Sequence, residues 1–272
     1  MKNRKSFIWG GAVLLLLLIG ISGVKVGRVA WNYKQNNDRM INSLYEAYSL
    51  KGQVINLDTA AHRVLCIGNS ITWHAPLKGD LPGADSLWRG DWGMCASKPE
   101  FDFVHQLERK FKAYNPATTV DRINLWEWEH DFNLNMDSLL GSISKDKDLI
   151  ILKIGENVKK DREEQFQQAF DELVNYCLQN TPNVIIAGSY WKAPRKEQAM
   201  ISAARKYHLP YVPLFWIYEN YRNEVLAHVG DTIFDRHGQP YSIPTEFICT
   251  HPNDEGMRMI ADAIFNSIQF VN

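Results

Sequence analysis

A serine, an asparagine and a histidine stand where alternating strands and helices would bring them together. Ser70 follows the apolar run 63–67 and Gly68, so a sharp turn would expose its hydroxyl and free its amide at the start of a helix. Asn157 follows another apolar run, and His251 directly precedes a C-terminal segment with helical spacing. An imidazole held just before a helix can face the edge of a sheet and act as a general base. Each feature alone is weak evidence, since serine is also a common helix cap.

The surrounding sequence alternates between short apolar runs and segments with helical spacing. The apolar runs cover residues 63–67, 120–125, 149–154, 184–188 and 211–214. Helical patterns cover residues 101–114, 136–143, 162–179, 196–207 and 254–268. Continuous apolar strands are expected in a parallel sheet that is buried on both faces. This order predicts a three-layer α/β/α sandwich around a parallel five-stranded sheet, with ligands bound at the carboxyl ends of the strands.

Three sequence blocks resemble the SGNH/GDSL family of serine hydrolases and occur in that family's order. They are Gly68-Asn69-Ser70-Ile71, Gly155-Glu156-Asn157 and His251-Pro252-Asn253. Residues 90–97 are similar to the family's glycine block in the form of many Bacteroidetes-type members. The resemblance covers roughly residues 62–270 and implies a flavodoxin-like sheet and ester hydrolysis through an acyl-enzyme. It also implies a nucleophile at Ser70, a general base at His251, and an oxyanion hole formed by the Ser70 amide, the Gly93 amide and the Asn157 side chain.

One position departs from the family pattern, because Ile248 stands where an aspartate usually lies three residues before the histidine. Such a carboxylate orients the imidazole and stabilises its charged form. We favour a serine–histidine dyad that is oriented by a backbone carbonyl, and a catalytically degraded descendant stays open. The candidates for a replacement carboxylate are Glu127, Glu246 and the loop residues Asp231 and Asp235. Asn69 also replaces an aspartate of the common motif, a change that is frequent in the family.

Tryptophans near the sequence blocks suggest the class of substrate. The chain has nine tryptophans, and Trp73, Trp92 and Trp126 flank the blocks or follow an apolar run. Aromatic faces at the site would suit the apolar face of a sugar ring, and core packing explains them equally well. We expect a serine esterase that removes small acyl groups, acetyl above all, from a carbohydrate. The alternatives are an acyltransferase to a glycan that uses the same residues, and a catalytically degraded glycan-binding module.

The N-terminus predicts a membrane anchor. Residues 7–24 carry no charge and contain five consecutive leucines, and basic residues lie on both sides. This length suits a membrane-spanning helix, and the segment lacks a good small-x-small cleavage site. We expect a short cytoplasmic tail at residues 1–6, an uncleaved signal anchor at 7–24, a juxtamembrane connector at 25–61 and a hydrolase domain at 62–272. The catalytic domain would then lie outside the cytoplasm, which in a bacterium means the periplasm.

Charge and composition argue against several other classes of protein. The 30 basic and 31 acidic residues leave a formal net charge of -1, so the sequence lacks the basic footprint that nucleic-acid binding requires. Four cysteines with irregular spacing predict free thiols, not a disulfide scaffold or a metal knuckle. The eight histidines show no diagnostic ligand spacing. We therefore predict neither a metal nor another cofactor.

Overall fold

The computed structural model describes residues 53–77 and 87–271. In these residues, strands and helices alternate along most of the chain. The strands are β1 (Ile55–Leu57), β2 (Arg63–Gly68), β3 (Thr119–Asn124), β4 (Leu149–Lys153), β5 (Val184–Ala187), β6 (Tyr211–Val212), β7 (Thr232–Phe234), β8 (Pro240–Ser242) and β9 (Ile268–Phe270). The α-helices are α1 (Phe103–Lys112), α2 (Trp126–His130), α3 (Met136–Leu140), α4 (Glu163–Asn180), α5 (Pro194–Tyr207), α6 (Phe215–Val225) and α7 (Asp254–Phe265).

Strands β2 to β6 form one parallel sheet in the order β3-β2-β4-β5-β6. This is the strand order of flavodoxin-like doubly wound sheets. Every residue of β4 and β5 is buried, as expected for strands that helices cover on both faces. The predicted parallel five-stranded sheet is therefore confirmed. Gly68 at the end of β2 pairs with Asn124 on one side and Lys153 on the other, so these three strands end at the same level.

Alternate residues of the strands face two separate layers of helices. Val64 and Cys66 of β2 join Leu149 and Ile151 of β4 in one hydrophobic core with residues of α1 and α7. The intervening residues of both strands are equally buried and point to the opposite face of the sheet. Helices α4 and α5 pack against each other outside that core. The sheet thus lies between two helical layers.

Smaller pairings extend the domain beyond the central sheet. Strand β1 pairs in parallel with β9, so residues 55–57, which fall within the predicted connector, belong to the folded domain. Strands β7 and β8 form an antiparallel pair between α6 and α7. Helix α6 was not predicted, and it is interrupted at Tyr221, whose φ of -131° and ψ of 27° are not helical.

None of the helices in residues 53–77 and 87–271 combines the length and the apolar character needed to cross a membrane. The predicted cytoplasmic tail at residues 1–6 and the signal anchor at residues 7–24 lie outside the described residues. The same holds for residues 25–52 of the predicted connector.

Candidate active site

Ser70 lies just past the carboxyl end of β2, in a tight turn. The Asn69 carbonyl oxygen closes this turn by accepting a hydrogen bond from the Thr72 amide at 2.9 Å. Glycine is needed at position 68 because a Cβ atom on Gly68 would lie only 2.5 Å from the carbonyl oxygen of Lys153. The turn directly after β2 therefore places Ser70 at the carboxyl edge of the sheet.

His251 faces Ser70 at this edge. Its Nε2 lies 2.9 Å from Ser70 Oγ, and its Nδ1 lies 2.9 Å from the carbonyl oxygen of Ile248. A carbonyl oxygen can only accept, so Nδ1 carries the ring proton and Nε2 is left as an acceptor. The Ser70 hydroxyl therefore donates to a nitrogen that can take its proton, which is the arrangement that an activated nucleophile needs.

The loop that carries His251 is fixed by the helix that follows it. Asn253 caps α7 by accepting hydrogen bonds from the amides of Glu255 and Gly256, both at 3.1 Å. The Asn253 side chain also donates to the carbonyl oxygen of Leu226 at 3.0 Å. The block His251-Pro252-Asn253 thus links the imidazole to the residue that caps α7.

The structure does not support an orienting carboxylate at any of the predicted positions. Glu127 and Glu246 are exposed, and neither makes a hydrogen bond or ion pair with His251. Asp231 and Asp235 accept hydrogen bonds from amides of their own loop. None of these carboxylates orients the imidazole, because the carbonyl oxygen of Ile248 already accepts the hydrogen bond from His251 Nδ1. The geometry agrees with the favoured alternative, a dyad that a backbone carbonyl orients.

Burial controls the protonation of the imidazole. Loss of solvent lowers the pKa of His251 to about 4, and the Ile248 carbonyl that accepts from Nδ1 opposes this change only in part. The positive charge of Lys153 lowers the pKa further. His251 is therefore neutral at pH 7 and ready to accept the serine proton.

Two of the three predicted oxyanion donors are available. The Ser70 amide has no hydrogen-bond partner among the described residues. Asn157 Nδ2 donates one hydrogen to Glu129 Oε2 at 2.6 Å and keeps a second one. The prediction for Gly93 needs correction, because its amide donates to Asp102 Oδ2 at 3.1 Å. The Asp102 carboxylate is fully buried at the start of α1 and requires donors, so it takes this N–H.

A cluster of buried charged residues lies beneath the turn that carries the serine. Lys153 and Glu156 form an ion pair with almost fully buried side chains. Burial opposes ionisation of Glu156, but the Lys153 ammonium holds the pKa of that carboxyl below its ordinary value. Asn69 Nδ2 donates to Glu156 Oε2 at 2.7 Å and to Glu129 Oε1 at 3.2 Å. An aspartate at position 69 would set a third carboxylate against these two, which explains the asparagine.

Trp92 is buried, which disagrees with its predicted role in substrate binding. Its side chain is buried, and its indole N–H donates to the Ala96 carbonyl oxygen at 2.8 Å. Its ring packs edge-on against Trp88 with the centroids 5.7 Å apart. Trp92 is a core residue because both its apolar surface and its single donor are satisfied inside the domain.

Other tryptophans are accessible at the carboxyl edge of the sheet. Trp126 is 50% exposed at the start of α2, and Trp73 is partly exposed in the turn after Ser70. Trp191, which was not among the predicted site residues, lies edge-on to the His251 ring at a centroid distance of 6.3 Å. Its only sequence signal was its position after the apolar run that forms β5.

The described residues contain no group of three or more histidine, cysteine, aspartate and glutamate side chains arranged to hold a metal ion. All four cysteines are free thiols, and Cys66, Cys95 and Cys177 are buried. Burial raises the pKa of these three thiols, so they stay protonated.

No protein-family model matches the chain, and a search of curated proteins gives no significant relative. Solved structures do share its fold. A mutant of Axe2, an acetyl-xylooligosaccharide esterase from Geobacillus stearothermophilus, matches with a TM-score of 0.50 and 14% identity over 78% of this chain and 96% of that chain.

Two further structures are similar at lower scores. LAE5, an alpha/beta hydrolase enzyme from the metagenome of Lake Arreo, Spain, has a TM-score of 0.48 and 18% identity over 77% of this chain and 96% of that one. A two-domain esterase active on acetylated mannans has a TM-score of 0.45 and 17% identity over 76% of this chain. The match spans 48% of that longer protein. At these identities the likeness concerns the fold alone.

Proposed function

We propose that the chain is a serine ester hydrolase of the SGNH type that acts through an acyl-enzyme on Ser70. The observation that carries this proposal is the 2.9 Å contact between Ser70 Oγ and His251 Nε2, with Nδ1 held by a backbone carbonyl. A serine that served only as a helix cap would bond to the backbone of its own helix. Ser70 instead faces the unprotonated nitrogen of a partly buried imidazole that is neutral at pH 7.

In the acylation step, Ser70 Oγ attacks the ester carbonyl carbon while its proton moves to His251 Nε2. The negative charge that forms on the carbonyl oxygen is stabilised by the Ser70 amide and the second hydrogen of Asn157 Nδ2. When the tetrahedral intermediate collapses, the bond to the alcohol breaks and the alcohol oxygen takes the proton from Nε2. The acyl group is then bound to Ser70 as an ester.

Deacylation repeats these steps with water as the nucleophile. A water molecule gives its proton to His251 Nε2 and attacks the acyl carbon, the same donors stabilise the oxyanion, and Ser70 leaves with the proton. No carboxylate is needed to hold the imidazole, since the Ile248 carbonyl fixes the tautomer through Nδ1. A carbonyl stabilises the protonated imidazole less than the carboxylate of a triad does. The oxyanion donors must therefore supply a larger share of the transition-state stabilisation.

We propose an acylated glycan as the substrate class, with acetyl as the acyl group. The exposed Trp126 and the partly exposed Trp73 lie at the carboxyl edge where the serine is presented, and indole faces suit sugar rings. The Axe2 protein that shares the fold is an acetyl-xylooligosaccharide esterase, which is consistent with this class.

The decisive experiment treats the full-length protein in detergent micelles with a fluorophosphonate probe and follows hydrolysis of p-nitrophenyl acetate. We expect labelling at Ser70, and we expect Ser70→Ala and His251→Ala to abolish labelling and lower kcat by at least about 10³-fold. Ser138→Ala, which removes an exposed serine outside the site, is the matched control and should change neither readout.

Absence of labelling in well-folded wild-type protein would refute the hydrolase proposal and favour a glycan-binding role. Acetylated and free xylooligosaccharides then test the substrate class. Release of acetate identifies a hydrolase, whereas appearance of the acetyl group on an added sugar acceptor identifies a transferase that uses the same acyl-enzyme.

We also propose that residues 7–24 anchor the enzyme in a membrane with its catalytic domain outside the cytoplasm. The uncharged length of this segment and its basic flanks support the proposal. Fractionation should recover the full chain in the membrane pellet, and deletion of residues 1–24 should move it to the supernatant.

A further inference from the structure

Glu129 is a buried carboxylate that accepts hydrogen bonds from residues on both sides of the proposed oxyanion site. Its side chain is 1% exposed and lies in α2, after β3. Its Oε1 accepts from the amides of Gly155 (2.7 Å) and Asn157 (3.1 Å) and from Asn69 Nδ2 (3.2 Å). Its Oε2 accepts from Asn157 Nδ2 at 2.6 Å. One carboxylate thus joins the residue before Ser70 to the backbone and side chain of Asn157.

Four donors and no other polar contact fit an ionised carboxylate, because a protonated one would carry a donor of its own. Burial of an ionised carboxylate costs free energy, and repulsion from the nearby Glu156 adds to this cost. The Lys153 ammonium is the counterion of Glu156. Burial and Glu156 raise the pKa of Glu129, and its hydrogen bonds act in the opposite direction. A packed apolar residue would give a simpler core at this position, so the carboxylate has a use that packing does not explain.

The orientation of an asparagine amide is the property that this carboxylate controls. A carboxylate accepts and never donates, so only Nδ2 of Asn157 can face Glu129 Oε2. That contact leaves the second hydrogen of Nδ2 able to donate to another acceptor, and it turns Oδ1 away from Glu129. If the amide turned over, Oδ1 would take the place of a donor and would repel an oxyanion.

We propose that Glu129 is a positioning residue that locks the Asn157 amide with its N–H toward the oxyanion. This inference rests on the proposed ester hydrolysis at Ser70 and assigns a role to a side chain that the family resemblance does not include. The Glu129 side chain makes its hydrogen bonds to Asn69, Gly155 and Asn157 and none to Ser70 or His251, so it is not a catalytic residue.

Glu129→Gln tests this role at nearly constant shape. The glutamine oxygen can keep the contacts of Oε1, but its NH₂ group then faces Asn157 Nδ2, and two donors cannot share that contact. The Asn157 amide must turn over or move away. We expect kcat to fall by about 10²-fold or more, as for loss of an oxyanion donor, while KM changes less than about threefold.

A double-mutant cycle separates positioning from general stability. We expect Asn157→Ala to lower kcat by about 10²–10³-fold, and Glu129→Gln to cause little further loss in that background. Glu127→Gln, which neutralises an exposed carboxylate on the same short helix, is the matched control and should leave kcat and Tm unchanged. Wild-type kcat in Glu129→Gln, or losses that multiply in the double variant, would overturn the inference.

A second measurement does not depend on activity or on folding of the Glu129 variant. In ¹⁵N-labelled wild-type protein, the side-chain amide signals of Asn157 are those that Asn157→Ala removes. We expect one of the two protons to lie downfield and to exchange slowly, because it donates to a buried carboxylate. Two rapidly exchanging protons would overturn the inference. If the proton is protected but the protein has no esterase activity, the proposed function is refuted, whereas the orientation of the Asn157 amide by Glu129 still holds.

Discussion

The acid limb of the pH–rate profile should lie far below the value of an ordinary histidine. Loss of solvent around His251 is the main cause of its low pKa of about 4, and the charged forms of His74 and Lys153 act in the same direction. The Ile248 carbonyl and Glu156 oppose the shift. Because kcat/KM reports the free enzyme, it should stay on a plateau down to about pH 5 and halve near pH 4.

The contrast with an unshifted imidazole is large enough to measure. At pH 5 a base with a pKa of about 4 is roughly 90% deprotonated, whereas a base at the ordinary 6.5 is roughly 3% deprotonated. The two cases therefore differ by about 30-fold in relative kcat/KM at that pH. At pH 7 they differ by less than about 1.5-fold, so the acid range carries the information.

The assay is kcat/KM for p-nitrophenyl acetate between pH 3.5 and about 8, with the product measured by chromatography at each pH and Ser70→Ala as the blank. The folded state disfavours the imidazolium, so stability also falls as the pH drops from 6.5 toward 4. Circular dichroism at each pH therefore restricts the fit to folded protein. A midpoint near 6.5 in folded wild-type protein would refute this account of His251.

Trp191 offers a test of the cause. Its ring lies edge-on to His251, and Trp191→Ala would admit water to the imidazole. We expect the midpoint to move upward toward 6.5 in that variant, since desolvation is the main cause of the low value. The exposed Trp126→Ala is the matched control and should leave the midpoint in place.

Two further predictions concern stability. Burial raises the pKa of Glu197 to about 8, so the folded state keeps a proton that the unfolded chain releases above pH 4.5. The free energy of unfolding should therefore fall by up to about 1.4 kcal/mol per unit as the pH rises from 4.5 to 8. Glu197→Gln should flatten this slope in urea denaturation at pH 5 to 8, and an unchanged slope would contradict the prediction. Ile248 is fully buried, so Ile248→Asp should lower the free energy of unfolding by about 3–5 kcal/mol without raising kcat. The control Ile248→Val should lower it by about 1 kcal/mol. A gain in kcat with unchanged Tm would show that an aspartate at this position can reach the imidazole, and would contradict the prediction.

The sequence was sufficient to predict the centre of the sheet, because the buried strands β2, β4 and β5 are almost entirely apolar. Strand β3, with the sequence TVDRIN, is only partly buried and gives a weaker signal. The same criterion could not find β1, β7, β8 or β9, which have three residues each and show no period of their own. Helix α6 was missed because it opens with four consecutive apolar or aromatic residues, 215–218, which weakens the helical spacing of the rest.

Glu127 follows the second predicted strand, which is the basis for its selection as a candidate carboxylate. The segment around it alternates aromatic and acidic residues, which predicts that part of it is exposed at the mouth of the site. The segment is the short helix α2. Its Trp128 and Glu129 are buried, whereas Trp126 and Glu127 are exposed.

The two departures from the SGNH pattern share one physical explanation, which is where negative charge is buried. Asn69 donates to both Glu129 and Glu156, so an aspartate in its place would add a third carboxylate to one buried site. On the histidine side, the carbonyl of Ile248 replaces the missing aspartate and leaves a weakly basic imidazole. The buried carboxylate of Glu129 therefore accepts from Asn157 on the proposed oxyanion side of the site, whereas a backbone carbonyl pairs with His251 Nδ1. The proposed hydrolase would depend strongly on its oxyanion donors, so loss of the Asn157 amide should lower kcat at least as much as loss of one donor does in an enzyme with a full triad.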